Sequence, residues 1–116
     1  MAKTADSKDA PKSQVFLVDD HPVIRKGLAS VINQEADLFV CGEAEDIHSA
    51  VIAIGKSVPD IAIVDLTLKD ESGIELIKDL HVRHPELPVL GLSMHDESFY
   101  AERVIRAGAR GYIMKE

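Results

Sequence analysis

The sequence predicts an α/β protein in which a parallel sheet carries helices on both faces. Two short apolar runs without a polar side, Val15-Phe16-Leu17-Val18 and Ile61-Ala62-Ile63-Val64, have the character of strands buried from both directions. Longer stretches whose apolar residues recur at helical spacing lie between such runs. The two patterns alternate along the chain, and alternating strands and helices assemble a parallel sheet through right-handed crossovers. A chain of 116 residues has room for one domain.

Residues 1–13 carry no large aliphatic or aromatic side chain after the initiator methionine and read as a flexible tail. The domain is expected over residues 14–116. Its first strand, 15–18, stops at Asp19-Asp20. Pro22 suits a first helical turn, and Val23, Ile24, Leu28, Val31 and Ile32 mark the apolar stripe of the first helix. Residues 38–41 form a second strand. Asp46 caps a second helix with Ile47, Ala50, Val51 and Ile54 facing inward, after which Gly55 and Pro59 punctuate the chain.

The third strand, 61–64, ends on Asp65, and a loop over 66–72 leads to Gly73 and a third helix. That helix carries Ile74, Leu76, Ile77, Leu80 and Val82 and ends at Pro85. Residues 89–92 make a fourth strand closing on Ser93. A fourth helix covers 99–107 with Gly108 as its C-cap, and a fifth strand over 111–114 closes on Lys115. The last helix of the alternation is missing or truncated.

Thirteen Lys and Arg against twenty Asp and Glu leave a net charge of −7, so this segment repels a nucleic-acid backbone rather than gripping it. Apolar residues are 46% and charged residues 28%, an ordinary globular balance that predicts a soluble protein, and no apolar run approaches the ~18 residues of a membrane span. The single cysteine, Cys41, forms no internal disulfide, and the N-terminus has no hydrophobic signal. A reducing cytoplasm is the expected compartment.

Ligands of open parallel sheets bind beyond the carboxyl ends of the strands. There the first strand delivers Asp19 and Asp20, the third Asp65, the fourth Ser93 and the fifth Lys115. Crowded carboxylates repel one another by about 4 kcal/mol per close pair at an effective dielectric near 20. A hard divalent cation offsets this, and Mg²⁺ suits carboxylate oxygens supplemented by a backbone carbonyl and water. Zinc prefers nitrogen or sulfur, and neither His21 nor Cys41 has an obvious place among these oxygens. A carboxylate beside Mg²⁺, with a lysine and a hydroxyl aimed at the same point, is set up to accept a phosphoryl group on Asp65. Ser93 then donates a hydrogen bond to a phosphoryl oxygen and draws its loop inward.

Asp19-Asp20, Asp65 with Gly73 eight positions on, Ser93 and Tyr112-Ile113-Met114-Lys115 together resemble the receiver domain of bacterial two-component response regulators. The resemblance covers residues 14–116, and Asp20 to Asp65 and Asp65 to Lys115 are separated by 45 and 50 positions, close to the family's spacing. Asp19-Asp20-His21-Pro22 with Arg25 and Gly27-Leu28, and the run from Arg106 to Tyr112, resemble the NarL/FixJ subfamily, in which a LuxR-type helix-turn-helix follows the receiver. That DNA-binding domain is expected beyond the end of this chain.

The resemblance implies a flavodoxin-like, doubly wound, five-stranded sheet in the order 2-1-3-4-5. It implies that Asp65 is the phospho-acceptor, that Asp20 and Asp65 hold Mg²⁺ directly, that Asp19 acts through water and that Thr67 offers its backbone carbonyl. Ser93 and Lys115 contact the phosphoryl group, Tyr112 is the switch aromatic, and Thr67 and His95 tune phosphoryl lifetime. The implied partners are a sensor histidine kinase and a second copy on activation. DNA is reached only through the output domain, and no membrane is involved. The domain catalyses its own phosphorylation and dephosphorylation but is no metabolic enzyme. Lys69 and Glu116 stand where the family often has proline, which removes the usual reason for a cis peptide after Lys115.

Each residue also has a plainer reading. Asp19, Asp20 or Ser93 alone suits a helix cap, Asp65 a turn, and Lys115 a solvated surface. Tyr112 has strand packing, half-buried, as its plainer alternative. His21 reads as packing and capping, His81 and His84 as solvated groups at a helix end, Cys41 as a small buried hydrophobe, and Arg103, Arg106 and Arg110 as a solvated face. Three other functions compete. A haloacid-dehalogenase-like phosphatase uses similar groups but carries its nucleophile on the first strand. A pseudo-receiver would bind partners without phosphorylation, against which intact Asp20, Asp65 and Lys115 argue. A flavodoxin-like nucleotide binder would need a glycine-rich phosphate loop.

Overall fold

A computed structural model describes residues 11–68, 72–93 and 98–114. Its elements run β1 (Ser13–Val18), α1 (Pro22–Asn33), β2 (Leu38–Ala44), α2 (Ile47–Lys56), β3 (Ile61–Asp65), α3 (Gly73–Arg83), β4 (Val89–Ser93), α4 (Ser98–Arg106) and β5 (Gly111–Met114). All strand pairs are parallel, and the sheet order is β2-β1-β3-β4-β5, as expected. The order reverses at β1, between the crossover through α1 to β2 and the return through α2 to β3. Right-handed crossovers therefore place α1 and α2 on opposite faces. Among the described residues, no helix is long and apolar enough to cross a membrane.

Strand register sorts the side chains between two unequal layers. Phe16, Val18, Ala62, Val64 and Val89 share one face and form the main core with Ala50 and Ile54 of α2, Leu76, Ile77 and Leu80 of α3 and Val104 of α4. On the other face Val15, Leu17 and Leu92 are buried, but Ile61, Ile63 and Leu90 are only half-buried, and Ile113 is exposed. Helix α1 contributes half-buried Ile24, Leu28 and Ile32 there and has no fully buried residue.

This narrow seam corrects the expected stripe of α1. Val23 is 84% exposed and Val31 is also exposed, because the face turned to the sheet runs through Ile24, Arg25, Leu28, Ala29 and Ile32. Val82 of α3 is exposed for the same reason, since it lies half a turn round from Ile74, Ile77 and Leu80. Gly55 does not interrupt α2, which continues to Lys56.

Two further expectations fail at β2. The strand extends to Ala44, past the expected end at Cys41, and Cys41 is exposed rather than buried. The register explains both: Val15 pairs with Val40 and Phe16 with Gly42, so Cys41 is the extra residue of a bulge on an edge strand. At Gly42 a Cβ would press on the Phe16 ring at 2.8 Å, so the absence of a side chain lets that ring fill the core. Strand β1 begins at Ser13, which places the end of the expected tail one residue earlier; residues 1–10 lie outside the described residues.

The helix caps follow the sequence reading more closely. Asp46 accepts a hydrogen bond from the Ser49 backbone N–H at 2.7 Å and starts α2. Gly108, at φ +119°, ends α4 with its N–H on the Ile105 carbonyl, a conformation that side-chain-bearing residues rarely adopt.

Candidate metal centre

The parallel sheet brings the ends of β1 and β3 together. Val18 pairs with Val64, so the residues that follow, Asp19 and Asp65, emerge side by side at the carboxyl edge. Asp19 is fixed by its N–H on the Ala44 carbonyl at 3.0 Å. The Arg25 guanidinium reinforces it, donating to the Asp19 carbonyl and, through Nε, to Glu43 at 2.9 Å. One arginine on α1 thus ties the first acidic loop to the end of β2.

Asp65 is held from the other side. Its Oδ1 accepts from the Thr67 N–H at 3.0 Å and the Thr67 hydroxyl at 3.2 Å. The chain returns beneath it, with the Leu66 N–H on the Leu92 carbonyl and the Gly73 N–H on the Leu66 carbonyl. Gly73 opens α3 directly against the Asp65 carbonyl, where a Cβ would overlap that oxygen and crowd the Leu66 Cα. Ser72 caps the helix by accepting from the Ile74 N–H at 3.2 Å. The Asp65 carboxylate is 0% exposed and Asp19 is 1% exposed, while Asp20 is partly buried beside them.

The structure thus gathers Asp19, Asp20 and Asp65 and adds a residue that the sequence reading placed elsewhere. His21 directs Nδ1 to within 2.9 Å of Asp19 Oδ1, 3.0 Å of Asp20 Oδ1 and 3.5 Å of Asp65 Oδ2. It occupies the N-cap position of α1 but makes no side-chain cap hydrogen bond. The residue thus stands at the expected capping position, while its ring lies among the carboxylates rather than in packing. One potential ligand atom from each of these four residues lies within 4.8 Å of the others. The signal that could have revealed this was adjacency, because a histidine directly after two strand-end aspartates cannot extend far from them.

Ser93 is fully buried at the end of β4 and pairs in register with Met114. Tyr112 is half-buried against the main core, on the face covered by α4. Lys115, His95, Lys69 and Glu116 lie outside the described residues, and the roles expected for them rest on the sequence.

The comparisons with known proteins match this arrangement. A family model described as the response regulator receiver domain matches residues 15–116. The chain belongs to that family. It is 40% identical over 103 residues to the DNA-binding transcriptional activator DevR/DosR of Mycobacterium tuberculosis, covering 89% of this chain and 48% of that protein. It is 35% identical over 105 residues to the transcriptional regulatory protein DegU of Brevibacillus brevis, covering 90% of this chain and 44% of that one. A two-component response regulator of the LuxR family from Aurantimonas superposes with a TM-score of 0.87 at 33% identity, covering 90% of this chain and 75% of that one. The chain is a receiver domain of the NarL/LuxR type, and it spans about half the length of the curated relatives it matches. The family match removes the dehalogenase-like phosphatase and the flavodoxin-like nucleotide binder.

Receiver domains use Mg²⁺, and this donor set fits it. Three carboxylates converge with their oxygens close together, and hard oxygen donors of this kind suit a small divalent cation. The repulsion of about 4 kcal/mol expected for each close pair makes a counter-cation energetically favourable.

Proposed function

We propose that this receiver accepts a phosphoryl group on Asp65 from a phosphohistidine of a sensor histidine kinase. The observation that carries the reading is the fully buried Asp65 carboxylate at the end of β3, facing Asp19 and Asp20 and positioned by Thr67. In the transfer, an Asp65 carboxylate oxygen bonds to phosphorus as the P–N bond of the donor breaks. The departing imidazole keeps the bond pair and takes a proton from solvent. The product is a mixed anhydride, which water later cleaves back to the carboxylate and phosphate.

Asp19, Asp20 and Asp65 hold Mg²⁺, with the Thr67 backbone carbonyl as a further oxygen donor. The bound ion supplies positive charge against the carboxylates and the phosphoryl oxygens. Lys115 pairs with a phosphoryl oxygen. Ser93 donates a hydrogen bond to another, and the coupled inward movement of Tyr112 alters the α4 face. Thr67 and His95 govern the access of water and hence the lifetime of the signal. The names of the relatives, which are transcriptional regulators, support a cytoplasmic protein in which the altered face controls a DNA-binding output domain.

The test is to incubate the chain with Mg²⁺ and acetyl phosphate and to measure intact mass. One phosphoryl adduct in the unaltered protein and none in Asp65→Asn is the expected result. Absence of an adduct from both, or equal labelling of both, overturns the assignment and favours a receiver that works by binding alone.

A further inference from the structure

We propose that His21 is a nitrogen ligand of the cation site and sets its metal preference, an inference that rests on the acidic cluster holding Mg²⁺ as described above. The geometry is specific to this side chain. Its Nδ1 lies 2.9, 3.0 and 3.5 Å from oxygens of Asp19, Asp20 and Asp65, so one atom addresses all three carboxylates. The backbone prepares that pose. The His21 N–H donates to Asp19 Oδ1 at 2.9 Å, which folds the chain back over the cluster, and Pro22 fixes the first turn of α1 immediately afterwards. The ring is about half exposed, so it covers the cluster from the solvent side while its inner nitrogen faces the oxygens.

A cation drawn in by these three oxygens therefore meets an imidazole nitrogen as well. A carboxylate oxygen only accepts, so without a cation Nδ1 carries the proton that bridges to Asp19. On ligation that proton passes to solvent, the Nδ1 lone pair binds the ion, and the ring holds one proton on Nε2, the atom opposite the cluster. The consequence is a difference between metals. Mg²⁺ takes oxygen donors and gains little from imidazole, whereas Mn²⁺ and, more strongly, Ni²⁺ gain a favourable ligand. His21 turns an oxygen cradle into a mixed nitrogen and oxygen site that favours first-row transition ions over Mg²⁺ more than the carboxylates alone do. The phosphoryl chemistry is unaltered in kind; what changes is which ion the site prefers.

The experiment measures dissociation constants for Ni²⁺ and Mg²⁺ by titration calorimetry on the unaltered protein and on His21→Gln, which keeps a polar side chain but removes the imidazole. The expected result is a fall of about tenfold or more in the preference for Ni²⁺ over Mg²⁺. The ratio cancels any general weakening of the site, and comparison with the variant cancels binding by the other histidines. An unchanged ratio overturns the inference.

A second measurement needs only the folded wild-type protein. With one equivalent of Mn²⁺, electron spin-echo modulation should show a directly bound imidazole nitrogen, and the modulation should vanish in His21→Gln. Its absence from the wild-type protein, or its persistence in the variant, overturns the role of His21. If Mg²⁺ binds normally and no nitrogen coupling appears, His21 alone is excluded. If Asp65→Asn leaves the Mg²⁺ and Ni²⁺ affinities unchanged, the carboxylate site fails, and the proposed function fails with it.

Discussion

Thr67 holds Asp65 twice, with its backbone N–H at 3.0 Å and its hydroxyl at 3.2 Å from the same oxygen, Oδ1. The first bond belongs to the turn after β3, but the second depends on the side chain. In Thr67→Ala the turn should remain and the cost in stability should be about 0.5–1.5 kcal/mol, the usual net worth of one hydrogen bond. Because Thr67 is exposed beside a buried carboxylate, its removal also opens a path for water. Loss of the phosphoryl group should accelerate by up to about tenfold, a barrier change of about 1.4 kcal/mol, read from the decay of the phosphorylated mass.

Asp65→Asn should stabilise the cation-free protein while abolishing phosphorylation. The amide retains an oxygen for Thr67 and removes one negative charge from the side-chain cluster of Asp19, Asp20 and Asp65. A gain of about 1–3 kcal/mol is expected, below the 4 kcal/mol upper figure for a close pair. Mg²⁺ should raise the melting temperature of the unaltered protein, by an amount equivalent to about 2.7 kcal/mol at a hundred times the dissociation constant. It should have a much smaller effect on the variant. Thermal melts with and without a chelator measure both differences.

Gly73→Ala should destabilise the domain even though alanine is the better helix former. The added methyl would overlap the Asp65 carbonyl and crowd the Leu66 Cα, and backbone atoms cannot rotate away as a side chain can. The expected cost is about 1–3 kcal/mol, which outweighs the ~1 kcal/mol that alanine gains over glycine in a helix interior. Urea unfolding reads the stability change. The same displacement reaches the residue that carries the proposed nucleophile, so the rate of phosphorylation from acetyl phosphate should fall as well.

Asp46 gives the fold a share of its pH dependence. The Ser49 backbone N–H, aided by the Ser49 side chain, donates to its carboxylate and holds the pKa below the ordinary value. A carboxyl with a depressed folded pKa contributes stability that is fully present above its unfolded value, about 3.9, and is lost as pH falls through the lower folded value. Asn in place of Asp46 keeps a capping oxygen but does not ionise. Urea midpoints of Asp46→Asn and the unaltered protein should therefore converge as pH is lowered below about 4. A difference that widens on acidification would contradict this account.

The strand ends were the most legible part of the molecule. In a parallel sheet every strand points its carboxyl end to the same edge, so Asp19 and Asp65 had to lie along one edge once the alternation was read. The resemblance supplied the strand order that makes β1 and β3 neighbours there. The inward residues of α2 and α3 were legible for a related reason, because three helices share one side and bury a broad face. Val23 and Val31 were not, since periodicity shows an apolar stripe without showing how wide a seam the neighbours cover. Cys41 departs from the expected burial because a bulge shifts the pattern by one residue, and the Phe16 ring lying against Gly42 accounts for the glycine there. The place of His21 depended on the turn between β1 and α1. A loop of that length has no period to read.

The layer beneath α2, α3 and α4 is where this molecule resists change. Beneath α2, α3 and α4, the loss of a methylene leaves a void that close-packed neighbours cannot fill. The flank bearing Tyr112 and α4 is therefore held constant by the interior it roofs, and sequence drift there is costly.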